Sequence, residues 1–170
     1  MSESRGQIER HRSKGLIVDT NLLLVLVVGL GNPGFVGRFR RTEAYTPNDF
    51  LLLRHVVGLF PKIILTPQVL AELTNLLPAA EDDATELVHD QVVQTLSQAF
   101  EIYVPKDELL PNPLLRRVGF TDLSLLRVAL DGDYLVLTDD LRASVQLRSG
   151  GCSVLNFVHL REELLQWSGD

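Results

Sequence analysis

Four acidic residues stand at positions where together they could hold a divalent metal ion. Asp19 follows a short apolar segment, Glu72 lies little more than one turn into a predicted helix, and Asp122 is near the start of another. The fourth, Asp140, comes three residues after Leu137, the end of a further apolar segment. Carboxylate oxygens select hard cations, Mg²⁺ or Mn²⁺, over zinc. If these acids converge in the fold, they predict a site for such a cation.

Each acid also has an ordinary structural explanation. Asp19, Asp139 and Asp140 can cap helix N-termini, which contributes about 0.5–2 kcal/mol. Asp122, in a first turn, complements the helix dipole for roughly 0.3–1 kcal/mol. Glu72 could be a solvated surface acid. Taken one at a time, acids in such positions are more often structural than functional.

The helical positions of two acids favour a functional role. Asp122 falls between Leu126 and Ala129 on the face of its helix that must pack inward. Glu72 borders the apolar stripe of its own helix. An inward carboxylate without a cationic partner is costly to desolvate, and several that converge repel one another. A divalent cation offsets both costs, so the pattern predicts a metal site.

Short apolar segments alternate with amphipathic ones along the chain, which indicates how these acids are positioned. The predicted strands are residues 15–18, 62–65, 102–104, 134–137 and 154–157. The predicted helices are residues 22–28, 48–60, 67–77, 84–100, 121–130 and 141–148, with one more after the last strand. Strands that alternate with helices form a parallel sheet covered on both faces. We therefore expect a three-layer α/β/α sandwich with four to five parallel strands, whose ligands bind beyond the carboxyl ends of the strands.

Length and composition fit a single domain. The chain has 170 residues and is 45% hydrophobic, enough for one core and too little for two comfortable ones. We divide it into a polar segment, residues 1–14, and one domain, residues 15–170. The single cysteine, Cys152, excludes an intrachain disulfide framework and a cysteine-based zinc site. The apolar stretch 16–30 is interrupted by polar residues and falls short of the roughly 20 residues of a membrane span. We expect a soluble, cytoplasmic protein.

The charge balance does not by itself indicate a nucleic-acid partner. The net charge is −6, whereas nucleic-acid binders usually carry a basic excess. However, carboxylates at a metal site are neutralised in use, and 13 of the 16 basic residues are arginine, the better planar partner for phosphate. An arginine-rich surface can equally reflect genomic composition, so the charge leaves both interpretations open.

Four short motifs together carry a resemblance to a known family. They are VDTN at residues 18–21, TPQVLAE at 66–72, TD at 121–122 and LTDD at 137–140. In this order, after these elements, they resemble the PIN-domain nucleases, including the VapC-type toxin ribonucleases, over about residues 16–157. The resemblance implies that the catalytic acids are Asp19, Glu72, Asp122 and Asp140. It implies metal binding by Asp19, Asp122 and Asp140, with Asp139 sharing or replacing the role of Asp140, and support from Asn21 and Thr138.

The resemblance also implies an activity and partners. PIN nucleases hydrolyse RNA phosphodiesters with water activated by Mg²⁺ or Mn²⁺, so we expect an endoribonuclease with that cofactor. A toxin of this type would have an antitoxin protein and a second copy of itself as partners. The stretch 29–61 is longer than in compact toxins and contains Arg38, Arg40 and Arg41. These arginines are predicted phosphate contacts, although a solvated loop explains them equally well.

Two other functions compete with this hypothesis. One is a PIN-like RNA- or protein-binding module without catalysis. The other is a peptidyl-tRNA-hydrolase-like or dinucleotide-binding protein that uses the GLGNPG segment from Gly29 to Gly34. A dinucleotide fingerprint needs its glycines to open a helix, and Pro33 fits that poorly. The hydrolase would need residues 22–28 as a strand. The four histidines show no metal-ligand spacing.

Overall fold

Five short strands form one parallel sheet in the computed structural model, which describes residues 3–167 and the side chains of residues 3–163. The strands are β1 (Leu16–Val18), β2 (Ile63–Leu65), β3 (Phe100–Glu101), β4 (Leu135–Thr138) and β5 (Val154–Asn156). Their order across the sheet is β3-β2-β1-β4-β5, and every pair is parallel. The α/β class and the parallel sheet are therefore confirmed.

Helices cover both faces of this sheet and make a three-layer sandwich. They are α1 (Glu3–His11), α2 (Thr20–Gly31), α3 (Pro47–Gly58), α4 (Pro67–Leu76), α5 (Asp83–Ser97), α6 (Lys106–Leu109), α7 (Leu115–Gly132), α8 (Leu141–Ser149) and α9 (Phe157–Trp167). A single 3₁₀ turn, Pro33–Phe35, follows α2. Within residues 3–167, no helix is both long and apolar enough to span a bilayer.

The core is centred on β1, β4 and α2. All residues of β1 and β4 are buried, as expected for parallel strands that are covered on both faces. Residues 22–29 of α2 are buried on every side of the helix, because α3, α4 and α5 pack around it. A helix that is apolar all round belongs in such a position. The run that contains Leu22 and Val28 is therefore a core helix and not a strand.

Two predicted elements are wrong in their limits. The third strand is Phe100–Glu101 and not 102–104, because α5 ends at Ser97 and the register with β2 pairs Phe100 with Ile64. The apolar residues that suggested a strand at 102–104 pack as a loop, in which Val104 is buried. In addition, the short helix α6 lies outside every helix that the sequence predicted.

Helices also extend beyond the predicted segments. α7 begins at Leu115, before the predicted start at residue 121, and it is broken at Gly119, whose φ of 76° favours glycine. The N-terminal segment, predicted only as polar, forms α1 from residue 3. In α1, Ser4 and His11 are buried, and the Ser4 hydroxyl donates to Glu163 of α9 at 2.8 Å. This polar segment therefore packs on the domain.

The strand order reverses between β1 and β4. From β1 the chain adds β2 and β3 on one side, and β4 and β5 then lie on the other. At such a switch point a crevice opens beyond the carboxyl ends of the two central strands. Asp19 follows β1 directly and Asp139 follows β4 directly. The topology thus brings acids that are 120 positions apart to one edge of the sheet.

Candidate active site

One cavity at the carboxyl ends of β1 and β4 brings the predicted acids together. It has a volume of about 170 Å³. The predicted catalytic acids all line it: Asp19, Glu72, Asp122 and Asp140. The two predicted supporting residues, Asn21 and Thr138, line it as well. Its apolar side is formed by Leu125, Val136, Ala143 and Leu147. Residues from four separate parts of the chain therefore meet around one small space.

Asp19 is held rigidly between two elements. As the N-cap of α2, its Oδ1 accepts from the Leu22 amide at 2.8 Å. Its Oδ2 accepts from the Asp139 amide at 3.2 Å, beyond the end of β4. Burial, and next the charge of Asp139, raise the pKa of Asp19 to about 7, although hydrogen bonds from Thr138, Leu22 and Asp139 oppose this. The capping explanation is thus correct for Asp19. The same carboxylate also lines the cavity, where burial makes its charged form unfavourable.

Asp122 and Glu72 approach the cavity from α7 and α4. Burial raises the pKa of Asp122 to about 6, and the charges of Asp140 and Glu72 contribute further. Among the described residues, none donates a hydrogen bond to the Asp122 carboxylate. Glu72 is exposed, and its Oε2 accepts from the Thr20 hydroxyl at 2.9 Å. The acids therefore act on one another electrostatically, which requires that they be close.

Asp140 and its neighbour Asp139 point to different places. Asp140 lines the cavity and caps α8, since its Oδ1 accepts from the amides of Arg142 at 2.7 Å and Ala143 at 3.0 Å. Asp139 does not line the cavity. Its Oδ2 accepts from the Tyr45 hydroxyl, and its buried Oδ1 has no hydrogen-bond partner in the described part of the chain. Asp140, not Asp139, therefore faces the space in which an ion would lie.

Tyr45 is a site residue that sequence reasoning missed. It belongs to the long loop after α2 and is only 9% exposed. Burial and its hydrogen bond to Asp139 raise the pKa of its hydroxyl, while Arg161 opposes the shift. Sequence reasoning gave this tyrosine no role, because no local pattern links residues 45 and 139. The signal that could have found it is a contact across 94 positions.

A buried hydroxyl pair connects the two helices that carry Glu72 and Asp122. Thr66, the N-cap of α4, lies 2.9 Å from Ser124 of α7 through their hydroxyl oxygens, and both residues are fully buried. The Ser124 hydroxyl also lies 2.7 Å from the Thr121 carbonyl oxygen, to which it can donate. In the sequence, Thr66 is apparent only as the first residue of the TPQVLAE motif. This pair connects α4 to α7 across the core side of the cavity.

The predicted arginines do not reach the acidic cavity. Arg38 is exposed. Arg40 and Arg41 line a second cavity of about 290 Å³, together with Phe39 of the same loop and Asn75 near the end of α4. The structure thus separates the three arginines from the acids and places two of them in a cleft of their own.

The chemistry of the acidic cavity can be compared with the needs of a metal ion. No three Asp, Glu, His or Cys residues in the described part of the chain lie close enough to hold an ion by themselves. Mg²⁺, however, usually keeps several waters and binds through only one or two carboxylates. The donors are all oxygens, and burial raises the pKa of Asp19 and Asp122, so that their charged forms are unfavourable without a counter-ion. The residues therefore fit a hydrated Mg²⁺ or Mn²⁺.

Comparisons with known proteins add little to this geometry. No protein-family model matches the chain, and no curated protein matches it. Among solved structures, the chain is similar to a domain of a functionally unknown protein from Methanocaldococcus jannaschii DSM 2661. The identity is 15%, the match covers 85% of this chain and 91% of that chain, and the TM-score is 0.44. A similarity of this size supports no statement about function.

Proposed function

We propose that this chain is a PIN-like endoribonuclease that depends on Mg²⁺ or Mn²⁺. The observation that carries the proposal is the convergence of Asp19, Glu72, Asp122 and Asp140 on one cavity at the switch point of the sheet. Such crevices are where open α/β sheets bind their ligands. The resemblance of the four sequence motifs to PIN nucleases gives the reaction class, and the geometry supports it independently of those motifs.

The residues divide into those that would hold the ion and those that would orient water and substrate. Asp19, Asp122 and Asp140 would hold the ion. When bound, a divalent ion lowers the pKa of water and neutralises charge on a phosphodiester. Asn21 and Thr138 line the same cavity and can hydrogen-bond to water there. Asp139 does not line the cavity and is therefore not proposed as a direct ligand.

Glu72 is suited to a different task in the reaction. It lies on α4, and its Oε2 accepts a hydrogen bond from the Thr20 hydroxyl at 2.9 Å. This bond orients the carboxylate while the residue remains exposed to solvent. In the proposed reaction Glu72 accepts the proton of the attacking water, a role that requires contact with both the cavity and solvent.

The narrower form of the proposal is a cytoplasmic toxin of a toxin–antitoxin pair. It adds an antitoxin protein and a second copy of the chain as partners, and RNA as the substrate. This form depends on the resemblance to VapC-type proteins alone. The catalytic proposal does not require it.

The test is cleavage of single-stranded RNA by the purified protein with Mn²⁺ or Mg²⁺. We expect Asp122→Asn to lower the rate by about 100-fold or more, because loss of a group that only supports a metal ligand already costs about 10–100-fold. Asp19→Asn should do the same, but its amide would place an N–H against the Asp139 amide, so Asp122→Asn disturbs the fold less. Asp90→Asn, an exposed acid on α5, is the matched control and should keep full activity. Equal cleavage by all of these variants would refute the proposal.

A second candidate, a PIN-like module without catalysis, is favoured by one observation. Both oxygens of Asp19 already accept backbone hydrogen bonds, and no group of three potential ligands forms among the described residues. Such a module would bind RNA or protein without cleaving it. It predicts no stabilisation by Mn²⁺, since an ion that binds the folded state must raise the melting temperature.

The glycine-rich alternative gains no support. Residues 22–28 lie within α2 and not in a strand, and Gly29 and Gly31 are near the end of that helix. A dinucleotide fingerprint needs glycines that follow a strand and open a helix. Here a close contact explains one of them: a Cβ on Gly29 would come within 2.1 Å of the Phe50 ring. The glycine at position 29 lets α2 and α3 pack closely.

A further inference from the structure

The acidic cavity and the cleft that contains Arg40 and Arg41 are both lined by residues of α2 and α4. Along α2, Thr20 lines the first cavity, and Leu24 and Val28 line the second. These residues are four positions apart and so lie on one face of the helix. With a rise of 1.5 Å per residue, they place the second cavity about 6–12 Å along α2 from the first.

Helix α4 forms the opposite wall in the same direction. Glu72 lines the acidic cavity, and Asn75 and Leu76, three and four positions later, line the arginine cleft. Two cavities thus follow one another along the same pair of helices, with carboxylates in the first and guanidinium groups in the second, and we call the two together the α2/α4 groove. An extended ligand that occupies both cavities would meet carboxylates in one and the two arginines in the other.

The chemistry of the cleft suits one nucleotide of an RNA strand. Arg40 and Arg41 are exposed, and neither forms an ion pair or a side-chain hydrogen bond with a described residue. Arg161 and Arg127, by contrast, are paired with Asp49 at 2.7 Å and with Asp131 at 3.0 Å. Beside the two cations, Phe39 and the apolar lining make a surface of the kind that a base contacts.

The charges of the molecule explain why an RNA strand would need this cleft. The chain carries a net charge of −6, and the reacting phosphate would approach four carboxylates. Guanidinium groups are planar bidentate partners for phosphate and are weakly hydrated. A phosphate held 6–12 Å away along the groove would offset the repulsion without placing a cation inside the metal site.

We propose that the α2/α4 groove binds single-stranded RNA, with the phosphate next to the scissile one on Arg40 and Arg41 and a base against the apolar side of the cleft. This rests on the proposed nuclease function. It distinguishes Arg40 and Arg41 from Arg38, which lies outside both cavities.

The test is RNA binding without cleavage. Asp122→Asn protein in EDTA is titrated against a fluorescein-labelled single-stranded RNA of mixed sequence, and anisotropy gives the affinity at several salt concentrations. Adding Arg40→Gln and Arg41→Gln should weaken binding roughly tenfold at low salt. It should also reduce the slope of log affinity against log salt by about 0.7, because the two arginines hold one phosphate and each phosphate contact on a single strand contributes about 0.7.

The matched control is the double change Arg10→Gln and Arg12→Gln. Both are exposed arginines at the end of α1, which precedes β1 at the opposite edge of the sheet, so the net charge changes equally. The control should leave affinity and salt slope unchanged. An equal effect of the two double variants, or no effect of either, would overturn the cleft as an RNA site.

Competitors test which ligand chemistry the cleft recognises. A nucleoside 5′-monophosphate should displace the labelled RNA at lower concentration than inorganic phosphate, because it adds a base. Equal displacement by inorganic phosphate would show a general anion site and overturn the proposal. Displacement by poly-glutamate as efficient as that by RNA would assign the groove to an acidic protein partner instead.

The RNA-binding proposal and the nuclease proposal can be refuted independently of each other. If RNA binds through Arg40 and Arg41 but wild-type protein with Mn²⁺ does not cleave it, the nuclease proposal is wrong and the groove remains. If the wild-type protein cleaves RNA but the arginine variants bind and cleave it normally, the groove is wrong and the nuclease proposal remains.

Discussion

The two edges of the sheet differ in whether basic side chains lie beside their acidic residues. At the amino edge, Asp133 precedes β4 and lies 3.5 Å from Lys14 and 3.6 Å from His11, both of which precede β1. At the carboxyl edge, no Lys, Arg or His of the described residues lies within ion-pair distance of the four cavity acids. The protein thus places a lysine beside the acid at the amino edge and places no basic side chain of its described residues beside the acids at the carboxyl edge.

A divalent ion should therefore stabilise the protein, and only through the carboxyl edge. At a Mn²⁺ concentration of 100 times the dissociation constant, the free energy of unfolding should rise by about 2.7 kcal/mol. The combined change Asp19→Asn and Asp122→Asn should remove this gain, whereas Asp133→Asn should keep it. Thermal unfolding with and without Mn²⁺ measures the shift. A shift of the same size in the double variant would place the ion elsewhere.

Without metal, the carboxyl edge should make stability depend on pH. The pKa values of Asp19 and Asp122 are raised to about 7 and about 6 from the usual 3.8, so the folded state binds protons more tightly than the unfolded state. Their favourable contribution is complete below pH 4 and is lost as pH rises through 6 and 7. We expect a loss on the order of 2 kcal/mol between pH 4 and 8.

Urea unfolding in EDTA at several pH values measures this loss. Other groups titrate in the same range, so the quantity of interest is the difference between the wild-type protein and the double variant Asp19→Asn, Asp122→Asn. The variant should have the flatter profile. Parallel profiles would mean that these carboxylates are not held in a charged, partly buried site.

The general fold could be predicted from sequence because its signals are local. The short strands before Asp19 and Asp139 are apolar runs with helix-capping residues directly after them, so sequence shows both the strand and the acid that follows it. Parallel pairing then brings strand ends to one edge without any further information. The location of Asp19 and Asp140 beside one cavity follows from this rule.

The elements that could not be predicted depend on contacts distant in sequence. β3 has only two residues, and its identity comes from pairing with β2, so the apolar run at 102–104 was the stronger local signal. Tyr45 lies in a loop whose path is decided by packing, and its bond to Asp139 has no local pattern. The sequence also left the choice between Asp139 and Asp140 open, because both follow β4 and only side-chain direction distinguishes them.

The tyrosine connects the carboxyl edge to the long loop, and its hydroxyl can be tested alone. Tyr45→Phe keeps the ring but leaves the buried Asp139 carboxylate without its donor, which should cost about 1–3 kcal/mol of unfolding free energy. Tyr103→Phe, at a tyrosine that is 70% exposed, is the control and should change stability little. If the two variants unfold alike, the Tyr45 hydroxyl does not hold Asp139.

The smallest effect should come from the amino edge. Asp133→Asn removes the partner of Lys14, but Asp133 is 67% exposed in its side chain, and such ion pairs contribute about 0–1 kcal/mol. Asp133 also has a left-handed φ of 52°, a conformation that asparagine tolerates well, so the backbone cost is small. Urea unfolding at low and high salt should show a loss below about 1 kcal/mol that salt screens. A loss as large as that from Tyr45→Phe would mean that the Lys14–Asp133 ion pair stabilises the protein as much as the hydrogen bond from Tyr45 to Asp139 does. The contrast between the two edges would then be wrong.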